Sequence, residues 1–451
     1  MADVARIVVI NTFFRAGSEG TANHHLPVSK QSPIRDLVLE LCQLWKLDEP
    51  EDFALKFEKT DEYVTEANRV RIDNGSVLKL CHSPGRIVRK LLDMIRTKKE
   101  QPMVLVSAYN SLAEMCTDAA VAEEFVVREG GLDLVLEGVG GDQAVHMSGQ
   151  MTAHLIRTFH EIMRHEGLVA WEDERLHAHF IGRIAANIDT EKSMAALKQD
   201  ERTQSACLSI LNELVNTPAK YETTEKDISV SSLLNFLQTD SPLVQLRALA
   251  LFNSMFRLGD KQKKRKMKHL MEEKNTRKII VDYIIGRNPS KEMQTQLCVL
   301  QTLLLNLLEE RMRTAVESQD QVALKKIKRL REIAFESGGS SHPQQKSRFS
   351  EEYRKLGFRN EIDPANDFRE TPPGMLALDL MSDFAVNHTE DYRKLVLENT
   401  VRINQVECPF AQTSIEIVKL MCEITRIGVR REEGSGDYYP MFFTHENPLQ
   451  V

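Results

Sequence analysis

What this 451-residue sequence lacks narrows its class first. No apolar run approaches the ~18–20 residues a bilayer crossing requires. The oiliest stretch, Leu303 to Leu308, is cut by Asn306 and followed by Glu309, Glu310 and Arg311. The first residues, Met1 to Arg6, include Asp3 and lack the charged-then-apolar order of a secretory signal. Both absences predict a cytoplasmic protein. Cysteine is sparse and scattered (Cys42, Cys81, Cys116, Cys207, Cys298, Cys408 and Cys422). An odd count without any C-x-x-C argues against a disulfide framework and against structural zinc. Gly 21 and Pro 15 exclude collagen-like or proline-rich repeats, and 42% hydrophobic residues exclude a wholly disordered chain. Positive charge is not in excess either. A net charge of -7 predicts no general attraction to nucleic acid or anionic lipid, local basic patches aside.

Catalytic signatures are missing too. There is no G-x-x-x-x-G-K-[ST] loop, no G-x-G-x-x-G and no G-x-S-x-G elbow, so no nucleotide or other cofactor is expected. His160 and His165 are spaced one residue too far for a zinc-protease pair, about 140° apart on a helix. His177 and His179 also face apart, and no metal site is expected.

Length suggests two to four domains at roughly 100–200 residues each. Residues 1–84 read as strand and helix mixed. Ile7 to Ile10 is β-rich, and a second strand is expected over Leu26 to Lys30. Ser32-Pro33 reads as an N-cap with proline at the first helical position. Ile34, Leu37, Val38, Leu41 and Trp45 then form one helical face. Phe53 to Phe57 alternates at period two, Tyr63-Val64-Thr65 reads as a further strand, and Asp73-Asn74-Gly75 is a turn before Val77 to Leu80. This is the layout of a ubiquitin-like β-grasp or of another small α+β domain. Residues 85–336 read as amphipathic helices separated by short turns. The junctions at Phe125 to Val135 and at Leu233 to Phe252 have armadillo-like rhythm, which predicts a stacked solenoid or an irregular all-α domain. Residues 337–350 form a Ser/Gly-rich linker. Residues 351–451 are again helical, with one helix opened by Pro372-Pro373-Gly374 and another over Thr413 to Ile427. The run Lys261 to Lys268 holds six basic residues in eight positions, read as a solvated surface helix, a nuclear address, or a patch for an acidic partner or lipid.

Several stretches carry a more specific signal. They are Phe53-Ala54-Leu55, Tyr63 to Arg69, Asn74 to Leu80, Lys355-Leu356-Gly357-Phe358, Asp363 to Phe368, Thr371 to Asp379, Glu407-Cys408-Pro409-Phe410 and Pro440 to His445. In these, and in their order, the chain resembles the engulfment and cell-motility (ELMO) scaffold family. The resemblance implies a mostly α protein: a ubiquitin-like Ras-binding β-grasp domain, an armadillo-like solenoid and a C-terminally truncated ELMO domain. It implies a non-enzymatic scaffold that binds GTP-loaded RhoG or Arl-type GTPases and the cytoplasmic tails of engulfment receptors. Family members bring a DOCK-family exchange factor to the plasma membrane to activate Rac, for actin remodelling in apoptotic-cell uptake and migration. Leu47, in Trp45-Lys46-Leu47, falls where the family has a leucine implicated in GTPase binding. With Lys30, Arg35 and Lys46 beside it, the expected GTPase surface is complete. The resemblance also implies a fragment or short form, because the family's later segments are missing, and this puts DOCK binding in doubt. Met441-Phe442-Phe443 is expected to be left partly exposed.

Two other functional classes stay open. Related ELMO-domain proteins carry an arginine in an Asp-Phe-Arg-Gly stretch that stimulates GTP hydrolysis by Arf-class GTPases. Here Arg369 holds that place, but Glu370-Thr371-Pro372-Pro373 follows, and Glu370 stands next to it as a partner for the guanidinium. The third class is a nuclear-transport-like solenoid, but Trp45 and Trp171 are too few for a groove ladder of Trp and Asn. The groove is otherwise expected to take a basic or amphipathic receptor tail.

Overall fold

The computed structural model describes residues 4–13, 22–29, 31–98, 100–141, 149–191, 200–335, 345–401 and 409–428. They form two compact units, Met1–Pro289 and Ser290–Val451. The first unit opens with β1 (Val4–Asn11), β2 (Asn23–Ser29), α1 (Ile34–Leu44), β3 (Phe53–Phe57) and β4 (Val77–His82). The strands lie in the order β2-β1-β4-β3, with β1 and β4 parallel and the other pairs antiparallel. This is the β-grasp arrangement. Alternation does the sorting: Ala5, Ile7 and Val9 point inward with Leu26, Val28, Leu55, Leu78 and Leu80. Leu37, Val38, Leu41 and Cys42 of α1 close that core.

Two local expectations shift. Helix α1 begins at Ile34, so Pro33 is its cap residue and Ser32 lies outside; no side chain caps it from Pro33. The Ile34 N–H donates instead to Glu66 Oε1 at 2.8 Å. Tyr63-Val64-Thr65 is no strand but a single bridge, Lys56 to Tyr63, followed by a loop. Asn68 holds that loop: its side chain donates to the Tyr63 carbonyl and accepts from the Thr65 N–H, both at 2.8 Å.

Helices follow in the rest of the first unit: α2 (Pro84–Thr97), α3 (Pro102–Met115), α4 (Ala119–Glu123), α5 (Gly131–Gly140), α6 (Gly149–Met163), α7 (Ala178–Ala186), α8 (Glu201–Asn216), α9 (Tyr221–Asp227), α10 (Val230–Phe236), α11 (Pro242–Leu258), α12 (Lys261–Glu273) and α13 (Thr276–Tyr283). Side chains of Ser83, Asp118, Asp200 and Ser241 cap helix starts by accepting backbone N–H bonds. Between α4 and α5, one wide turn (Glu124–Arg128) precedes Gly130 at φ +62°. A Cβ on Gly131 would lie 2.2 Å from the Phe125 ring, so the Gly-Gly pair both reverses the chain and admits the ring.

Unit two contains α14 (Lys291–Asn306), α15 (Glu309–Arg313), α16 (Gln321–Phe335), α17 (Gln345–Lys355), α18 (Gly374–Asn387), α19 (Thr389–Val401) and α20 (Phe410–Thr425). Helix α16 shares a core with Phe358, Phe368, Met375 and Leu378 through Ala323, Ile327 and Leu330, which places it in this unit rather than with the helices before 290. Gly374 takes φ +50°, and a Cβ there would meet the Thr314 carbonyl at 2.4 Å. Residues 337–344 of the expected linker, and Met441-Phe442-Phe443, lie outside the described residues.

Candidate functional site

Antiparallel strands place opposite residues in pairs that either both face or both avoid each other's hydrogen bonds. Arg6 N–H donates to Asn74 Oδ1 at 2.8 Å, and Gly75 N–H donates to the Arg6 carbonyl at 2.8 Å. Arg6 therefore turns its backbone toward β4, and its register partner Pro27 turns its own backbone outward. The outer edge of β2 meets no other strand among the described residues. That edge offers carbonyls but lacks a donor at Pro27, which blunts it against indiscriminate pairing. The opposite edge, β3, is occupied: Phe57 N–H donates to the Glu62 carbonyl at 2.9 Å and Val64 N–H to the Leu55 carbonyl at 2.8 Å.

Helix α1 supplies the flanking side chains. Arg35 is exposed in its first turn, one turn before exposed Leu39. At the other end, Lys46 adopts φ +52°, Lys46 N–H donates to Gln43 O at 3.3 Å and Leu47 N–H to Cys42 O at 2.9 Å. This is a Schellman cap, with the half-buried Leu47 side chain packed on the sheet core. Arg35 and Lys46 are thus separated by the length of α1, 11 residues or about 16 Å. They flank a surface rather than form a cluster. Lys30 lies outside the described residues. Pro27 was legible as an edge signal in Leu26-Pro27-Val28; its outward direction needed the register.

The sheet is fastened to the helices on its far side. Asp52 accepts from Arg86 and Arg89 of α2. Asp118, while capping α4, also accepts from Tyr63 N–H at 3.0 Å. Tyr63 is buried and donates its hydroxyl to the His82 carbonyl at 2.9 Å; burial, with nearby Cys81 and Asp118, raises its pKa.

The remaining sequence candidates fall apart geometrically. His160 meets Glu161, whereas His165 pairs with the Cys116 carbonyl at 2.8 Å. His177 stands at the N-cap position of α7 without a side-chain capping bond, and His179 reaches the Gly140 carbonyl. Among the described residues no cluster of His, Cys, Asp and Glu is arranged to hold a metal. Burial pushes the Cys116 and Cys207 thiols up to about 12, which keeps them protonated at neutral pH. The Lys261–Lys268 run lies on α12, whose Met267 and Met271 are buried; Lys263 pairs with Glu225 at 2.5 Å and Lys268 with Glu272 at 3.6 Å. Arg369 is exposed at the end of a short 3-10 turn, Pro364–Phe368. Glu370 does not take its guanidinium but pairs with Lys419 at 2.6 Å.

A β-grasp sheet with one edge that meets no other strand, continuous with a stacked helical array and joined in sequence to a second helical unit, defines a mostly helical multidomain protein with no spanning helix among its described residues. Residues 4–83 match the family model described as the ELMO protein N-terminal Ras-binding domain. Residues 120–285 match the ELMO armadillo-like helical domain, and residues 306–451 the ELMO/CED-12 family. Engulfment and cell motility protein 2 of Homo sapiens is 35% identical over 436 residues, covering 94% of this chain and 59% of that protein. Engulfment and cell motility protein 1 of Homo sapiens is 33% identical over 444 residues, with 94% and 59% covered. For engulfment and cell motility protein 3 of Mus musculus the identity is 32% over 434 residues, with 94% and 58% covered. The chain belongs to the ELMO/CED-12 family, and it spans about 59% of the length of these relatives.

Proposed function

We propose that this chain is a non-enzymatic adaptor that docks a GTP-loaded RhoG- or Arl-type GTPase on the β2 edge and the two ends of α1. The open edge of β2 carries the reading. It offers outward backbone groups for strand addition, and Arg35, Lys46 and Lys30 in the adjoining sequence add charge complementary to an acidic effector-binding surface. Because GTPase switch segments are ordered by the γ-phosphate, a surface fitted to the ordered form distinguishes GTP from GDP. The match of residues 4–83 to a Ras-binding domain supports this. In the same reading, the bound GTPase and an engulfment-receptor tail bring the adaptor to the plasma membrane; recruitment of a DOCK-family exchange factor to activate Rac belongs in this scheme to full-length relatives. The test is a pull-down of the full chain with GTP- and GDP-loaded RhoG and an Arl protein. Retention is expected with GTP only, falling at least tenfold for Arg35→Glu with unchanged thermal stability. Equal retention of both nucleotide forms would sink the scheme.

A second reading, GTPase activation by Arg369, is kept because its guanidinium is exposed while Glu370 is engaged elsewhere. The expected outcome under the adaptor reading is that wild type and Arg369→Ala leave Arf GTP hydrolysis at the same rate.

A further inference from the structure

Helices α3, α6, α8 and α11 stack side by side and line a cleft of about 780 Å³. Two cross-links show that α8 and α11 run parallel. Ser254 Oγ of α11 donates to Asn212 Oδ1 of α8 at 2.8 Å, and Arg257 donates to Asn216 Oδ1 at 2.8 Å. These bonds join residues 42 and 41 positions apart, so residues of α8 meet α11 residues a near-constant step later. By that step Arg202 of α8 stands level with Leu243, and Arg247 lies about one helical turn further on. Across the other seam, Arg157 of α6 reaches Asn110 of α3 at 3.5 Å, and His154 feels the Asp200 charge at the start of α8. Arg157 and Arg202 therefore stand at similar heights on α6 and α8, with Arg247 about one turn further along α11, and all three line the same cleft.

Their pairing differs from that of the other charges there. Among the described residues Arg202 and Arg247 are exposed and form no ion pair; Arg157 hydrogen-bonds Asn110 and His154 and has the Asp200 carboxylate near enough to lower that carboxyl's pKa. Glu161 is already met by Arg164 at 2.8 Å and by His160 at 3.2 Å. Glu114 and Glu213, which also line the cleft, lie toward the C-terminal ends of α3 and α8 and accept from Asn110 and Asn212. Two members of the row, Arg202 and Arg247, have no acidic partner among the described residues, and Arg202 stands in the first turn of α8, where the helix dipole adds positive potential. Buried Met163, Ala206 and Ile210 line the cleft with Ser205 and Ser209, giving apolar surface beside polar groups.

We propose that this cleft holds an extended acidic segment of a partner protein, with its anionic side chains seated on Arg157, Arg202 and Arg247. The expected basic receptor tail would meet like charge at this rim. Adjacent helix axes are about 8–10 Å apart, and an extended chain advances about 3.3 Å per residue. Successive arginines are therefore matched by acids about three residues apart in the ligand. Guanidinium forks also favour carboxylate and phosphate planes over isolated carbonyls.

The full chain is the bait for a random twelve-residue peptide display library, with Arg202→Glu/Arg247→Glu as the paired bait. Both side chains are exposed, so the double variant is expected to keep its melting temperature. Selection on the wild type should enrich peptides carrying Asp or Glu at i and i+3. A synthetic peptide from that pool should lose at least tenfold in affinity for the double variant, measured by fluorescence anisotropy. Enrichment of basic or uncharged peptides, acidic peptides that bind the double variant equally well, or no enrichment above an empty support would each overturn the proposal.

Discussion

Leu47 closes the end of α1 with its N–H while its side chain rests on the sheet core. Truncating it removes both half-buried packing and the apolar part of the cap. Leu47→Ala is expected to cost about 1–2 kcal/mol, less than the 2–5 of a fully buried leucine. In a unit of this size that lowers the melting temperature by about 2–8 °C. Any loss of GTPase binding in Leu47→Ala must therefore be read beside its melting curve. Lys46 offers the cleaner probe. It occupies a left-handed position that glycine adopts without strain. Lys46→Gly is expected to hold or raise the melting temperature while deleting the charge, so calorimetry and pull-down together separate recognition from stability. The cap was not legible from Trp45-Lys46-Leu47 alone, because nothing in those residue types announces a left-handed lysine.

Elements were read more easily where one face is buried. β1, β3 and β4 show their alternation openly, and α11 shows its length. Tyr63-Val64-Thr65 has strand composition, yet local hydrogen bonds with Asn68 and the Tyr63 N–H donated to Asp118 hold it as a loop. The arginine row of the cleft was hidden for a related reason: its members sit on separate helices, and only the stacking register aligns them. Helix α18 shows the same dependence on partners. Its Asp379 accepts from Arg311 at 2.5 Å and from Lys326 at 2.5 Å. Burial alone would raise its pKa, but those two cations hold it below the ordinary carboxylate range. A depressed folded-state pKa means that the unfolded chain takes up the proton first as pH falls. The pair's stabilisation is then complete above about pH 4, the unfolded carboxylate value, and is lost on acidification through the lower folded value. Asp379→Asn is expected to cost about 1–2 kcal/mol at pH 7, discounted for the exposed cations. The gap between wild-type and variant denaturation midpoints should close below pH 4; a gap independent of pH would refute this assignment.

At the scale of the molecule, the grasp sheet and the helices after it form one compact unit rather than beads on a string. Asp118 joins them by capping α4 and receiving the Tyr63 amide at once. Asp118→Ala should remove about 1–2 kcal/mol through the lost cap and leave the Tyr63 amide without its acceptor. Hydrogen exchange is expected to accelerate at Tyr63 and in the first turn of α4 together. Faster exchange at only one of them would mean that the two segments open independently.

The outward-facing Pro27 has a further consequence. A strand margin that is missing one donor cannot zip fully onto a copy of itself, and the sheet's other margin is already taken. Chain-to-chain growth along this sheet therefore stops before it becomes a fibre. A partner docking there by strand addition, as proposed, would fill the one open margin, so two such partners would compete for it.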